Sequence, residues 1–358
     1  MLLYWGLCLL NIPVNVWPRY YTAFNVASVA WLIGSLVVTI GVWSSSRSFQ
    51  SADFVFKTFV NETGWEMDGF VFILSMVQTT YAMTAMDSVL HLSQETKRPR
   101  WTIPRALIGS IAMSILFCFG FAIFLLYSLA DLDTLVGSSL RQVYLQLYVN
   151  AIGFGGGLAV GTTILVILGI FCGTQIMTTL SRLIWAMSLQ RGVPYSDYFS
   201  VVDEKSGIPL RSFAFAFFTS CLMGLLYLPG DSTWNAISSS VVASIQLTYV
   251  APIAVLLYQK RSILPARSFS LDIFPGAGVV INVITVVWGL FIVVVSFFPV
   301  YLPVDANNMN YSILVFGVWA ALVVPFWFMS ASKNFTIMPA VSEDLDGDEG
   351  ASNYQTKA

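Results

Sequence analysis

The chain has 358 residues, 57% of them hydrophobic and only 10% charged, with a formal net charge of −2 and a mean hydropathy of +0.76. A soluble domain of this length carries roughly a quarter of its residues as charges, so water is excluded as the solvent for most of this surface. The basic residues fall in short clusters between apolar runs and form no continuous stripe, which gives no reason to expect a nucleic-acid partner.

The first segment, Met1–Asn11, lacks the basic start and small-residue cleavage site of a signal peptide, so it reads as part of a membrane helix cut short. Eight runs of spanning length follow, at Thr22–Trp43, Asp68–Gln94, Pro104–Ala130, Phe154–Leu180, Ser212–Leu228, Trp234–Tyr258, Gly278–Phe298 and Tyr311–Ser330. Each is long enough to cross a ~30 Å hydrocarbon layer at 1.5 Å per residue. If the runs alternate and the Asn11–Tyr21 loop is cytoplasmic, every Lys and Arg except Arg47, Lys57 and Arg141 lies on that side. The bias fixes the orientation by the positive-inside rule. Residues 1–331 are then one polytopic transmembrane domain, and 332–358 an acidic, disordered cytoplasmic tail whose Glu343–Glu349 stretch lacks the ligand spacing of a calcium loop.

The four cysteines sit inside apolar stretches with no pairing pattern, and there is one histidine, so no metal site and no cofactor is expected. A hydrolase is a poor fit, because His91 has no suitably spaced serine or cysteine motif around it. Of three glycosylation sequons, Asn61-Glu-Thr and Asn310-Tyr-Ser fall outside and Asn334-Phe-Thr inside. Only Asn61 has a loop long enough for modification. Gly153, Gly157 and Gly161 open the fourth run with a small-residue spacing that allows close helix contact, expected within the monomer.

The second run is polar in its middle, from Thr79-Thr80-Tyr81 through Thr84 to Asp87 and His91. Hydroxyls and a carboxylate at membrane depth are costly unless they face a cavity or a partner, and a helix broken there exposes backbone groups able to hold a polar ligand. A continuous helix explains the same residues if the hydroxyls bond to their own carbonyls and Asp87 and His91 satisfy each other across one turn. The residues alone leave both open.

The stretch Asp87-Ser-Val-Leu-His91-Leu-Ser-Gln-Glu95-Thr-Lys-Arg-Pro99-Arg-Trp-Thr-Ile-Pro104-Arg105 resembles the sixth helix and following loop of the amino acid/polyamine/organocation transporter superfamily, nearest its fungal amino acid/choline permease group. Ser181-Arg182-Leu-Ile-Trp-Ala186 through Arg191-Gly-Val-Pro194 is similar to that family's later cytoplasmic loop, and Leu247-Thr-Tyr-Val-Ala-Pro252 to its tenth helix. The chain departs from the pattern at Ala85 and Met86, where the family usually has Gly and an aromatic, at Gln94, where it has an acid, and at Arg191, where it has Asp.

The resemblance implies an all-α membrane protein with a leucine-transporter-like inverted-repeat helix bundle, here lacking about the first three helices. It implies a multi-pass protein of the plasma membrane that moves an amino acid or a small amine such as choline or γ-aminobutyrate by alternating access, with H+ or Na+ as the coupling ion and lipid around it. Thr80, Tyr81, Ala82, Met83, Thr84 and Ala85 are then the substrate-binding residues. Asp87, His91, Glu95 and Arg182 hold structure or gate. A degenerate permease that no longer transports, with a structural or regulatory role in the membrane, is the alternative.

Overall fold

The computed structural model describes residues 2–45, 49–93, 96, 98–129, 135, 140, 142–225, 231–261, 274–306 and 308–336. Its regular elements are helices α1 (Leu2–Leu10), α2 (Ile12–Val16), α3 (Tyr21–Ser44), α4 (Ala52–Lys57), α5 (Asp68–Ala82), α6 (Ser88–His91) and α7 (Pro99–Ser128). After these come α8 (Val143–Ile152), α9 (Phe154–Leu189), α10 (Ser196–Phe199), α11 (Leu210–Leu225), α12 (Asp231–Tyr258), α13 (Ala277–Val295) and α14 (Ser312–Phe326). Among the described residues, six helical stretches are long and apolar enough to cross a membrane. Helix is the form this sequence must take there, since in hydrocarbon each backbone N–H and C=O has to be satisfied within its own segment.

The bundle is arranged in two groups. Helix α9 lies at the centre of one, touching α1, α2, α3, α6, α8, α10 and α11. In the other, α12 packs on α13, α14 and α5, and α13 also meets α5. Helix α7 leans on α3, α4 and α6. Its outer face stays bare, with Leu116 and Phe119 about two thirds exposed, as a lipid-facing helix requires.

The first group has an aromatic core. Trp43 is 1% exposed, and its ring lies 5.7 Å from Phe121, 5.6 Å from Tyr144 and 5.4 Å from Tyr148, joining α3, α7 and α8. The Tyr148 hydroxyl bonds to Thr39. The small-residue run does what its spacing predicts within the monomer: a Cβ on Gly157 would stand 2.5 Å from the Tyr148 backbone, so only glycine lets α8 and α9 approach this closely.

Several helix bounds differ from the sequence expectation. The loop expected at Asn11–Tyr21 is helical for most of its length, as α2 and a 3-10 turn at Pro18–Tyr20. Asn11 and Asn15 are buried there because each finds a partner on α9. Helix α7 starts at Pro99, and Pro104 fits inside its second turn. Helix α9 runs on to Leu189, about 54 Å in all, so its last turns stand clear of the hydrocarbon. The final helix passes through a π-turn at Trp327–Ala331 and ends at Asn334. Thr336 N then donates to Gln190 O at 3.0 Å. Glu343–Glu349 of the acidic tail lie outside the described residues.

Candidate functional site

Helix is lost at Met83–Asp87 and resumes only for Ser88–His91. Ala85 turns the chain with φ +66, a left-handed conformation that L-residues other than Gly seldom adopt. Thr84 N reaches Tyr81 O and Ser88 N reaches Ala85 O, both at 3.1 Å. Among the described residues the amides of Ala85, Met86 and Asp87 find no backbone carbonyl. Three donors are thus left without a backbone partner at the turn.

The hydroxyls of this segment are self-satisfied. Thr80 Oγ1 donates to Met76 O at 2.7 Å, Thr84 Oγ1 to Tyr81 O at 2.7 Å and Thr79 Oγ1 to Ser75 O at 3.3 Å. Both sequence readings therefore hold in part: the helix is broken, and its threonines cap their own carbonyls. Ala82 and Ala85 are exposed, whereas Thr80, Tyr81, Met83 and Thr84 are half-buried. The six expected binding residues form one contiguous lip ending in the open amides.

Asp87 and His91 meet as the one-turn spacing predicts, with His91 Nε2 3.6 Å from Asp87 Oδ2 and each side chain about a quarter exposed. Sequence reasoning missed the third member of this group. Tyr249 of α12 lies near enough to interact with the Asp87 carboxylate. Gln246, Thr248 and Tyr249, clustered just before Pro252 in this helix, were the available signal. Arg182 is buried on α9, 8% exposed, with Nη1 3.5 Å from Ser181 Oγ. It shares a helix pair with His91, since α6 packs on α9. Glu95 lies outside the described residues.

A second polar zone lies away from the break. Thr174 Oγ1 donates to Asn11 Oδ1 at 3.0 Å and Thr178 Oγ1 to Asn15 Oδ1 at 2.6 Å. Tyr21 donates to Gln175 at 2.8 Å, and Gln175 in turn to Asn25. Every one of these groups is closed on a partner across the helix pair. The zone acts as glue between helices.

Ahead of α5, Asn61 Nδ2 donates to Trp65 O at 2.8 Å and Asp68 Oδ1 at 2.9 Å. The following loop is tied down by Leu302 N donating to Thr63 O at 2.7 Å and Trp65 Nε1 to Pro299 O at 3.3 Å. Gly64, at φ +80, sits so close to Leu302 O that no Cβ fits.

A family model described as amino acid permease matches residues 5–319. The chain belongs to that family. It is 30% identical over 305 residues to a choline transporter of Saccharomyces cerevisiae, covering 85% of this chain and 54% of that protein. It is 25% identical over 342 residues to the amino-acid permease BAT1 of Arabidopsis thaliana, covering 92% and 66%. It is 24% identical over 345 residues to amino-acid permease 2 of Neurospora crassa, covering 92% and 61%. The chain thus spans about half to two thirds of the length of these relatives. Family and fold agree that this is an integral membrane protein built of helices.

Proposed function

We propose that the chain is the larger part of a secondary transporter that carries an amino acid or a small amine across the membrane by alternating access, on a leucine-transporter-like bundle. The observation that carries this reading is the break at Ala85, where three amides find no backbone carbonyl. Open amides beside a carboxylate suit a zwitterion or an amine with a polar group: the amides hold its oxygens while its cationic end faces the acidic side of the break. Thr80, Tyr81, Ala82, Met83, Thr84 and Ala85 form the protein's side of this contact. Asp87, His91, Glu95 and Arg182 hold the inner half-helix and gate it.

Choline, γ-aminobutyrate and neutral or basic amino acids all suit such a site, and relatives are named as a choline transporter and amino-acid permeases. The coupling ion is H+ or Na+, and the membrane is the plasma membrane. Asn61 is glycosylated and Asn334 is not, because the basic-residue bias puts them on opposite faces. Endoglycosidase shifts on single-sequon variants check the orientation, and modification at Asn334 alone would invert it.

The functional test is uptake of radiolabelled choline, γ-aminobutyrate, leucine and arginine into cells producing the chain restored to the full length of its relatives. Saturable uptake of any of them above a vector control supports the reading. Correctly inserted protein that moves none of them favours the non-transporting, structural or regulatory alternative.

A further inference from the structure

Helix α12 ends where Lys260 and Arg261 both turn left-handed, at φ +50 and +59. The turn closes through Lys260 N to Leu257 O and Arg261 N to Leu256 O, both at 2.9 Å. Glycine makes such a turn without strain, so the reason for an arginine here lies in its side chain. That side chain folds back onto α13. A Cβ on Gly278 would collide with Cζ, Nη1 and Nη2 of Arg261 at once, so the guanidinium lies against the bare Cα in the first turn of α13.

Among the described residues Arg261 Nη1 is buried and meets no hydrogen-bond partner, and the same holds for Nδ2 of Asn282. The two belong to one face. Gly278 meets Arg261, and Gly289 meets Val250 and Gln246, so both glycines look towards α12. Asn282, four residues after Gly278 and seven before Gly289, lies on the same stripe. Two orphaned donors thus stand one helical turn apart, about 6 Å, and one of them carries a full positive charge. A buried donor without a partner is costly, and a buried cation more so. One tetrahedral anion spans that gap, accepting from the guanidinium on one side and from the amide on the other.

The surroundings say which anion. Val279 and Ile281, on either side of the stripe, are both 44% exposed, so the face beside the pair is apolar and bare. Tyr258, at the end of α12, is 89% exposed, where an aromatic ring suits the headgroup layer. A free anion would border this apolar surface with its hydration shell incomplete, whereas a phospholipid brings acyl chains to cover it. On the orientation proposed above, this end of α12 also lies at the cytoplasmic leaflet, where anionic lipids gather.

We infer that Arg261 and Asn282 hold the phosphate of an anionic phospholipid, and that Gly278 is bare so that the guanidinium can lie across the α12–α13 seam to reach it. The site is separate from the break at Ala85 and does not depend on transport.

The test follows phosphatidylserine retained by the purified whole chain in native mass spectrometry. Phosphatidylcholine is the zwitterionic control, and glycerophosphoserine is the same headgroup without chains. The wild type is expected to keep one phosphatidylserine under conditions that strip phosphatidylcholine. Arg261→Gln should lower the affinity by about tenfold, and Asn282→Leu by about threefold. Arg19→Gln, which removes the same charge from the other group of helices, should change it by less than about twofold. Gly278→Ala is the decisive variant. It leaves every charge in place, and its methyl meets only the tip of a flexible side chain. Its melting temperature without lipid should therefore hold or rise, while phosphatidylserine is lost as in Arg261→Gln.

Wild-type retention by Gly278→Ala overturns the assignment, because the placement of the guanidinium is then irrelevant. An equal loss in Arg19→Gln reduces the effect to net charge and overturns it as well. So does glycerophosphoserine competing as well as the intact lipid, which makes this a site for a free anion. A wild type that keeps phosphatidylserine no better than phosphatidylcholine leaves both donors to ordered water, and the lipid site is gone.

Discussion

Helix α9 holds six glycines, at 155, 156, 157, 161, 169 and 173, and runs unbroken for 36 residues. The α5–α6 segment has no glycine near its break and loses its helix at an alanine. Intrinsic propensity alone would assign the break to α9, since each interior glycine costs about 0.5–1 kcal/mol relative to alanine. Neighbours reverse that order. The α9 glycines are filled from outside by the Tyr148 backbone at Gly157, Leu145 at Gly161 and the Asn11 side chain at Gly173. Continuity is maintained by packing, and the break occurs where α5 and α6 are drawn to different groups of helices.

The polar groups divide in the same way. Those of α9 close on Asn11, Asn15, Tyr21 and Asn25 across a helix pair, and those of the break close locally or stand open. Closed groups join helices, and open ones are free to meet a ligand. The sharpest way to break this distinction is at Ala85. Ala85→Leu keeps the left-handed strain that the Ala85 Cβ already carries and adds bulk beside the amides that find no backbone carbonyl. Uptake in a transporting cell line should fall at least about tenfold. Ala85→Gly relieves the same conformation and should keep uptake with equal or higher thermal stability. If Ala85→Leu is silent, the break is no site.

Gly157→Ala strikes the other region. Its new methyl meets backbone, which cannot swing aside, so α8 must move off α9. A loss of about 1–3 kcal/mol is expected, seen as a lower melting temperature and an earlier loss of the monodisperse peak in detergent. Uptake per folded molecule should be less affected than in Ala85→Leu.

Much of this was legible in the sequence, and the exceptions have physical causes. Among the described residues each of the eight long apolar runs is mainly helix, the second broken at Met83–Asp87, because hydropathy and length report what lipid demands. Asp87 and His91 were found by a one-turn spacing, which is local information. Whether the helix between Thr80 and Asp87 breaks was not legible, since it depends on how α12 and α9 pull on the two halves. Tyr249 was missed for the same reason: its partner is 162 positions away along the chain. Helix α8 was missed because Val143–Ile152, with Tyr144, Gln146 and Asn150 among its ten residues, is too short and too polar to read as a span.

A smaller effect is expected at the closed polar seam. Asn15→Ala removes the acceptor of Thr178 and a long 3.4 Å donor to Thr174 O, but the Thr178 hydroxyl keeps Thr174 O at 2.9 Å on its own helix. The cost should therefore stay near about 1 kcal/mol, the usual worth of one interhelical hydrogen bond in a membrane. A two-state unfolding titration in mixed micelles measures it. A loss several times larger would mean that the seam, and not the glycine packing, keeps α9 continuous.

The smallest effect belongs to a polar cluster in water, which calibrates the two membrane regions. Asp203 accepts from Ser206 Oγ at 2.8 Å and Ser206 N at 2.9 Å, and these bonds, the hydroxyl first, hold its carboxyl below the ordinary carboxylate range. The sign follows from linkage. A carboxyl lowered in the folded loop adds stability that is present above its unfolded value, near about 4, and is lost as pH falls through the lower folded value. Gly207 N, which bonds to Asp203 O at 2.8 Å, reports the loop. Its protection from hydrogen exchange, corrected for intrinsic rate, should hold from neutral pH down to the carboxylate range and drop below it. Ser206→Ala should move that drop to higher pH without touching uptake or the stability of the bundle. Because this carboxylate sits in a loop that reaches water, solvent replaces the lost partners at once, whereas the amides at Ala85 are left without a backbone carbonyl by the fold itself.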